Sequence, residues 1–140
     1  MSPQDPNSAL AAFLTSALSE VCFGAEADFP LEATVDRYFT PDYVQRVNGE
    51  VLDRATFVAH IRHLRAAAAR GVVRVLEVVQ EGRRFADRHE VHAIKADGGE
   101  MRAEVYLFGE RDEDGRIRRV DEVTRLLQGA PEDAALGQAR

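Results

Sequence analysis

The chain has 140 residues, of which 45% are hydrophobic and 30% charged, values typical of one globular domain and not of a disordered chain. Its formal net charge of -6 disfavours electrostatic binding to nucleic acid or to an anionic membrane surface. A single cysteine, Cys22, excludes an intramolecular disulfide and a cysteine-based zinc site. The N-terminal residues do not resemble a signal peptide, and no apolar run reaches the roughly 18 residues of a membrane span. We therefore expect a soluble cytoplasmic protein.

Two amphipathic helices are predicted in the first third of the chain. The first is capped by Asn7 or Ser8, repeats apolar residues at helical spacing, and stops at Gly24. The second begins near Pro30, because proline fits a first helical turn, and ends at Thr40-Pro41-Asp42.

A hairpin and a third helix follow. Asn48-Gly49 lies between apolar segments and predicts a tight turn, because both turn residues need a positive φ. Asp53 is positioned to cap the third helix, which we expect to run to about Arg70 and to stop at Gly71.

The second half of the chain predicts four long strands separated by turns rich in glycine and aspartate. Short turns between neighbours indicate antiparallel pairing, so the fold class is α+β, with three N-terminal helices packed on one face of a mainly antiparallel sheet. We expect a tail at residues 1–7, one domain at 8–127, and a flexible tail at 128–140. The predicted strands are residues 72–81, 83–95, 100–111 and 116–127.

The order of these elements resembles the nuclear transport factor 2-like superfamily, in particular its SnoaL-like (polyketide-cyclase-like) branch, over roughly residues 9–127. The resemblance implies a strongly curved, cone-shaped sheet around an internal pocket, with a homodimer formed through the other face of the sheet. Enzymes of this superfamily commonly use carboxylates in the pocket as acids and bases, helped by histidine, tyrosine or arginine. Four stretches carry the resemblance: Leu10–Val21, Val35–Val44, Gly49–Arg65 and Asp114–Ile117.

Glu122 is the leading candidate for a pocket acid. Side chains alternate along a strand, so Glu122 shares a face with Val120 and Thr124, whereas Asp121 faces the other way. A carboxyl group in an apolar pocket has a raised pKa, which suits proton transfer at neutral pH. The alternative is a carboxylate on the solvent or dimer face, paired with an arginine.

The strand at 83–95 is unusually polar and offers two alternatives. If the face with Phe85 and Val91 lines the pocket, then Asp87 and His89 form a carboxylate–imidazole pair near Glu122. If the other face does, Arg88, Glu90 and His92 take that place. The apolar neighbours favour the first set.

His60 is a further candidate, because it lies beside the apolar stripe of the third helix. It is either an acid, base or ligand contact in the pocket, or a hydrogen-bonded structural residue. The chain has no HExxH spacing, no GxGxxG motif and no phosphate-binding loop, so we predict neither a metal nor a cofactor.

Large apolar side chains are predicted to form the walls of the pocket or to belong to the core. Three functions remain open: acid–base chemistry on a small, largely apolar molecule, such as isomerisation, cyclisation or hydrolysis; noncatalytic binding of such a ligand; or a dimeric accessory module. The predicted ligand-binding residues are Tyr38, Phe39, Tyr43, Phe57, Leu64, Tyr106 and Phe108.

Overall fold

A computed structural model describes residues 5–130 and residue 133. The predicted tails, residues 1–7 and 128–140, fall for the most part outside the described residues. Three helices and six strands occupy the described part, in the order α1 (Pro6–Phe23), α2 (Leu31–Tyr38), β1 (Phe39–Val47), β2 (Glu50–Asp53), α3 (Arg54–Ala67), β3 (Ala68–Glu81), β4 (Arg84–Lys95), β5 (Glu100–Arg111) and β6 (Ile117–Gln128).

The helices begin at side-chain caps and at proline. The Asp5 side chain accepts a hydrogen bond of 2.8 Å from the backbone nitrogen of Asn7, so α1 begins at Pro6, slightly before the predicted caps. Asp53 caps α3 as predicted, accepting from the Thr56 nitrogen at 2.9 Å. Each cap satisfies one of the backbone N–H groups that a helix leaves unpaired at its start.

The predicted end of the third helix is wrong. α3 stops at Ala67, and β3 begins at once, with Ala68 paired to Lys95 of β4. Gly71 is therefore a strand residue and not a helix stop. A Cβ at this glycine would lie 2.4 Å from the ring of Phe23, so glycine is required here for close packing against α1.

The Asn48-Gly49 hairpin is confirmed. Val47 pairs with Glu50 across a turn in which Asn48 has φ of 49° and Gly49 has φ of 87°. β1, however, begins at Phe39 directly after α2, so Phe39 is not a helical residue. The pairing of β1 is irregular between Phe39 and Val44, where Pro41 has no N–H to donate.

The six strands form one mixed sheet in the order β2-β1-β6-β5-β4-β3. Only β1 and β6 pair in parallel; the other neighbours are antiparallel, as predicted. The parallel pair places Gln45 opposite Val120 and Val47 opposite Glu122. Two segments separated by more than 70 residues therefore meet side by side.

The two faces of the sheet differ in burial. One face carries Val105, Leu107 and their equivalents on neighbouring strands, and packs against the helices to form the main hydrophobic core. The opposite face of β5 carries Tyr106 and Phe108, which are exposed. Across the described residues, no helix is both long enough and apolar enough to cross a membrane.

Candidate functional site

Strand register places the candidate acid and its predicted partners on one face of the sheet. Asp87, Leu107 and Glu122 lie directly opposite one another on β4, β5 and β6. The next row contains His89, Val105 and Thr124. Two strand spacings, about 10 Å, separate the backbones of Asp87 and Glu122, and the intervening β5 residues are apolar.

A cavity of about 130 Å³ lies between this face and the helices. Glu122, His89 and His60 line it, and the face of β4 that carries Phe85 and Val91 is the inner one. Most of its wall is apolar. The apolar lining comes from α1, α3 and the central strands: Leu14, Leu18, Val21, Phe23, Phe39, Phe57, Ile61, Leu64, Val91, Met101, Ala103, Val105, Leu107, Ile117, Val120 and Leu126.

Asp87 and His89 form a buried pair. The Nδ1 atom of His89 lies 2.7 Å from Oδ1 of Asp87, and the two side chains are 6% and 0% exposed. An ionised Asp87 can only accept, so Nδ1 carries the proton and Nε2 remains for other contacts. Asp87 does not itself line the cavity; it acts on the site through the orientation of the His89 ring.

Glu122 is a lining carboxyl group whose pKa is shifted to near neutral pH. Burial of its carboxyl group raises the pKa from 4.5 to about 7, while the interaction with His89 and a hydrogen bond from Gln45 oppose the shift. The Gln45 side-chain nitrogen donates that bond to Oε1 of Glu122. At neutral pH the protonated and ionised forms of Glu122 are therefore both populated.

Tyr43 and Cys22 lie in the wall near Glu122 and keep their protons. Burial raises the pKa of the Tyr43 hydroxyl well above its ordinary value, and the charge of Glu122 adds to the shift. Burial also raises the pKa of the Cys22 thiol to about 12, again with a contribution from Glu122. Both groups are therefore hydrogen-bond donors at neutral pH, and Cys22 is not an activated nucleophile.

The predicted aromatic wall is only partly correct. Phe39, Tyr43 and Phe57 line the cavity and pack together with ring centroids 4.6–5.1 Å apart, and Leu64 lines it as well. Tyr38 packs instead against Phe13, at 5.7 Å, and is not part of the lining.

The prediction that Tyr106 and Phe108 line the cavity is wrong. Both alternate with the buried Val105 and Leu107 and so lie on the outer face of β5, where they are 47% and 71% exposed. The Tyr106 hydroxyl donates to Oε1 of Glu104 at 2.7 Å, also on the outer face.

The other acidic and histidine residues considered from the sequence do not line the cavity. Asp121 lies on the outer face, 3.7 Å from Arg46, and His92 lies 3.1 Å from Glu100. His63 is exposed on α3. In the part of the chain that the structure describes, no cluster of three histidine, cysteine, aspartate or glutamate side chains could hold a metal ion.

Four polar lining residues were not predicted as site residues: Gln45, Thr124, Cys22 and Asp133. Thr124 is on the predicted inner face of β6, so alternation with Glu122 was the available signal. Gln45 had no comparable signal, because its position beside Glu122 depends on the parallel pairing of β1 with β6. Cys22 lies on α1, just beyond Val21 in the predicted apolar stripe.

The element order and the six-stranded mixed sheet define a nuclear transport factor 2-like fold, which solved proteins share. AclR from Streptomyces galilaeus, a candidate hydroxylase, gives a TM-score of 0.68 at 15% identity, covering 96% of this chain and 86% of its own. IdmH from Streptomyces antibioticus, a candidate polyketide cyclase, gives 0.64 at 16% identity, covering 86% of this chain and 92% of its own. At such identities the likeness concerns the fold alone.

Sequence comparison gives the narrower assignment. Residues 25–120 match the SnoaL-like domain family. An uncharacterised protein of Schizosaccharomyces pombe is 36% identical over 119 residues, which cover 84% of this chain and 91% of the relative. The chain belongs to the SnoaL-like domain family, as the sequence motifs predicted.

Proposed function

We propose that this protein is an acid–base catalyst that isomerises, cyclises or hydrolyses a small, largely apolar molecule in the cavity. The observation that carries the proposal is Glu122, a carboxyl group with a pKa of about 7 in an apolar wall. A group whose pKa matches the working pH can both accept and return a proton, which is the requirement for general acid–base catalysis.

His89 supplies the second proton-transfer group in this proposal. Asp87 holds the ring by Nδ1, which leaves Nε2 of the imidazole for proton transfer in the cavity. Tyr43 and Cys22 offer protonated donors in the same wall, suited to a developing oxyanion. The apolar lining favours an apolar substrate and keeps these polar groups poorly solvated.

The proposal is tested by following proton abstraction directly. Wild type and Glu122→Gln are incubated with small cyclic ketones in D₂O, and deuterium incorporation is measured by mass spectrometry. Hydrolysis of lactones and epoxides by the two proteins is then measured on panels of each. We expect Glu122→Gln to slow exchange about 100-fold or more. Glu32→Gln makes the same chemical change at an exposed residue of α2 and should leave the rate unchanged.

Two results would overturn the acid–base role. Exchange at the wild-type rate in Glu122→Gln removes Glu122 from the chemistry. Tight binding of probe molecules without exchange or turnover in the wild type assigns the cavity to a noncatalytic ligand-binding module, the second function that the sequence left open.

We also propose that a second copy of the chain covers the outer face of the sheet. Tyr106, Phe108 and Val123 are exposed there side by side, and charged residues surround them. Sedimentation analysis should give a dimer for the wild type and a monomer for Phe108→Asp. A monomeric wild type at about 100 µM, a concentration at which any interface of useful affinity is occupied, would overturn this part.

A further inference from the structure

The Gln45 side chain is a buried amide with only one of its two ends satisfied. It is 7% exposed and lines the cavity. Its nitrogen donates to Glu122, whereas its Oε1 atom has no hydrogen-bond partner among the described residues. A buried carbonyl oxygen without a donor destabilises the fold, so this oxygen favours any ligand that brings a donor to it.

The orientation of the amide follows from its neighbour. The ionised form of Glu122 has only acceptor atoms, so in that form the Gln45 –NH₂ group faces Glu122 and the carbonyl faces away. Thr124, two residues beyond Glu122 on the same face of β6, adds a lining hydroxyl, which interacts with the Glu122 carboxyl group and lowers its pKa. A hydroxyl group can both donate and accept a hydrogen bond, whereas the Gln45 carbonyl can only accept one.

The charges around the cavity disfavour anionic ligands. Among the described residues neither arginine nor lysine lines the cavity, whereas Glu122 contributes a carboxyl group, and Asp133 contributes one that pairs with Lys95 at 3.1 Å. A carboxylate or phosphate ligand beside Glu122 would meet its carboxyl group without a lining arginine or lysine to offset the repulsion. The site therefore suits a neutral molecule.

We propose that Gln45 is a specificity-determining residue that accepts a hydrogen bond from a hydroxyl group of a neutral, largely apolar ligand. The bond places the hydroxyl-bearing carbon beside Glu122, because one amide contacts both groups. The inference rests on the proposed function in that the ligand occupies the same cavity, but the selection operates in binding and does not need turnover.

The test compares ligands that differ only in the donor. Dissociation constants of 2-naphthol and 2-methoxynaphthalene, and of cyclohexanol and methoxycyclohexane, are measured by calorimetry or ligand-observed NMR. We expect each alcohol to bind the wild type about 5- to 10-fold more tightly than its ether, which corresponds to one hydrogen bond. Gln45→Met keeps the length and volume of the side chain without the carbonyl, so the ratio should fall to about one.

Gln128→Met makes the same substitution near the exposed end of β6 and should keep the ratio. If Gln45→Met does not fold, the ¹³C resonance of the Gln45 side-chain carbonyl in the wild type replaces it, and should shift with the alcohols only. Equal binding of alcohol and ether, a preference that survives Gln45→Met, or no binding of either alcohol overturns the inference.

The two proposals fail in different ways. Donor-selective binding without deuterium exchange upholds the role of Gln45 and overturns the catalytic function. Exchange that depends on Glu122, together with equal affinity for alcohols and ethers, upholds the function and overturns the role of Gln45.

Discussion

His89 and Asp87 stand two residues apart on β4 and point to the same face, with Nδ1 of the ring 2.7 Å from Oδ1 of the carboxylate. Both side chains are almost fully buried. A contact between residues i and i+2 of one strand is formed by local geometry alone, so the orientation of the ring does not depend on a distant element.

Replacing Asp87 with leucine removes the acceptor of the His89 Nδ1–H group. We expect the free energy of unfolding to fall by about 1–3 kcal/mol, because the buried N–H loses its partner. Asp87→Asn retains an oxygen acceptor and should cost less. Urea unfolding gives the stabilities, and ¹⁵N NMR gives the tautomer. An unchanged Nδ1–H tautomer in Asp87→Leu would show that Asp87 does not orient the ring.

The stability of the fold should decrease as the pH rises towards 7. The pKa of Glu122 is about 7 in the folded chain against an ordinary 4.5, so the folded state holds the proton more tightly than the unfolded state. Ionisation between pH 4.5 and 7 therefore costs the fold stability, about 3 kcal/mol at most, and the loss is complete above pH 7. Glu122→Gln should remove this slope. If the free energies of unfolding of the variant and the wild type change in parallel from pH 5 to 8, this pH dependence does not come from Glu122.

Arg65 holds the C-terminal end of α1 against α3. Its guanidinium donates to the backbone oxygens of Glu20, Val21 and Phe29 at 2.8–2.9 Å, and it is 2.9 Å from the carboxylate of Glu26. The single ammonium group of lysine cannot contact all four of these oxygens at once, so Arg65→Lys should destabilise the fold by about 2 kcal/mol.

Arg62→Lys provides the control on the same helix. Arg62 has one exposed partner, Glu32 at 3.4 Å, and its replacement should change stability by less than about 0.5 kcal/mol. Equal effects of the two substitutions in urea unfolding would show that the four Arg65 contacts contribute nothing beyond a surface charge.

Gly109 leaves room for the ring of Phe85 on the inner face. A Cβ at Gly109 would stand 2.3 Å from Cζ of that ring, so Gly109→Ala should cost about 1–3 kcal/mol through overpacking. Phe85→Leu should relieve the clash, and the double variant should then be more stable than the sum of the single effects predicts. Additive effects in a thermal-unfolding cycle would mean that the two positions do not interact.

Local patterns predicted most of the fold. The Asn48-Gly49 turn, the Asp53 cap and the long β3–β6 strands each depend on residues within a few positions of one another. The end of α3 was misplaced because a run of alanines suits a helix, and only the tertiary pairing of Ala68 with Lys95 ends it. The parallel placement of β1 beside β6 had no local signal.

The site was predictable where alternation along one strand decided it. Glu122 and Asp121, and likewise His89 and His92, separated to opposite faces as their positions require. Tyr106 could have been placed correctly by the same rule, since it alternates with Val105. Gln45 could not, because no property of its own segment reveals which strand lies beside it.

The position of β6 has a consequence for how the protein folds. It separates β1 from β5, so the hairpin of β1 and β2 has no strand to join until the last strand has been synthesised. During translation, at about 5–20 residues per second, the apolar face of the incomplete sheet stays open towards β1 for several seconds. Glu122 and Gln45 come together only through the pairing of β6 with β1, so a chain that lacks this pairing lacks the site. The proton transfer that we propose at Glu122 therefore requires the completed molecule.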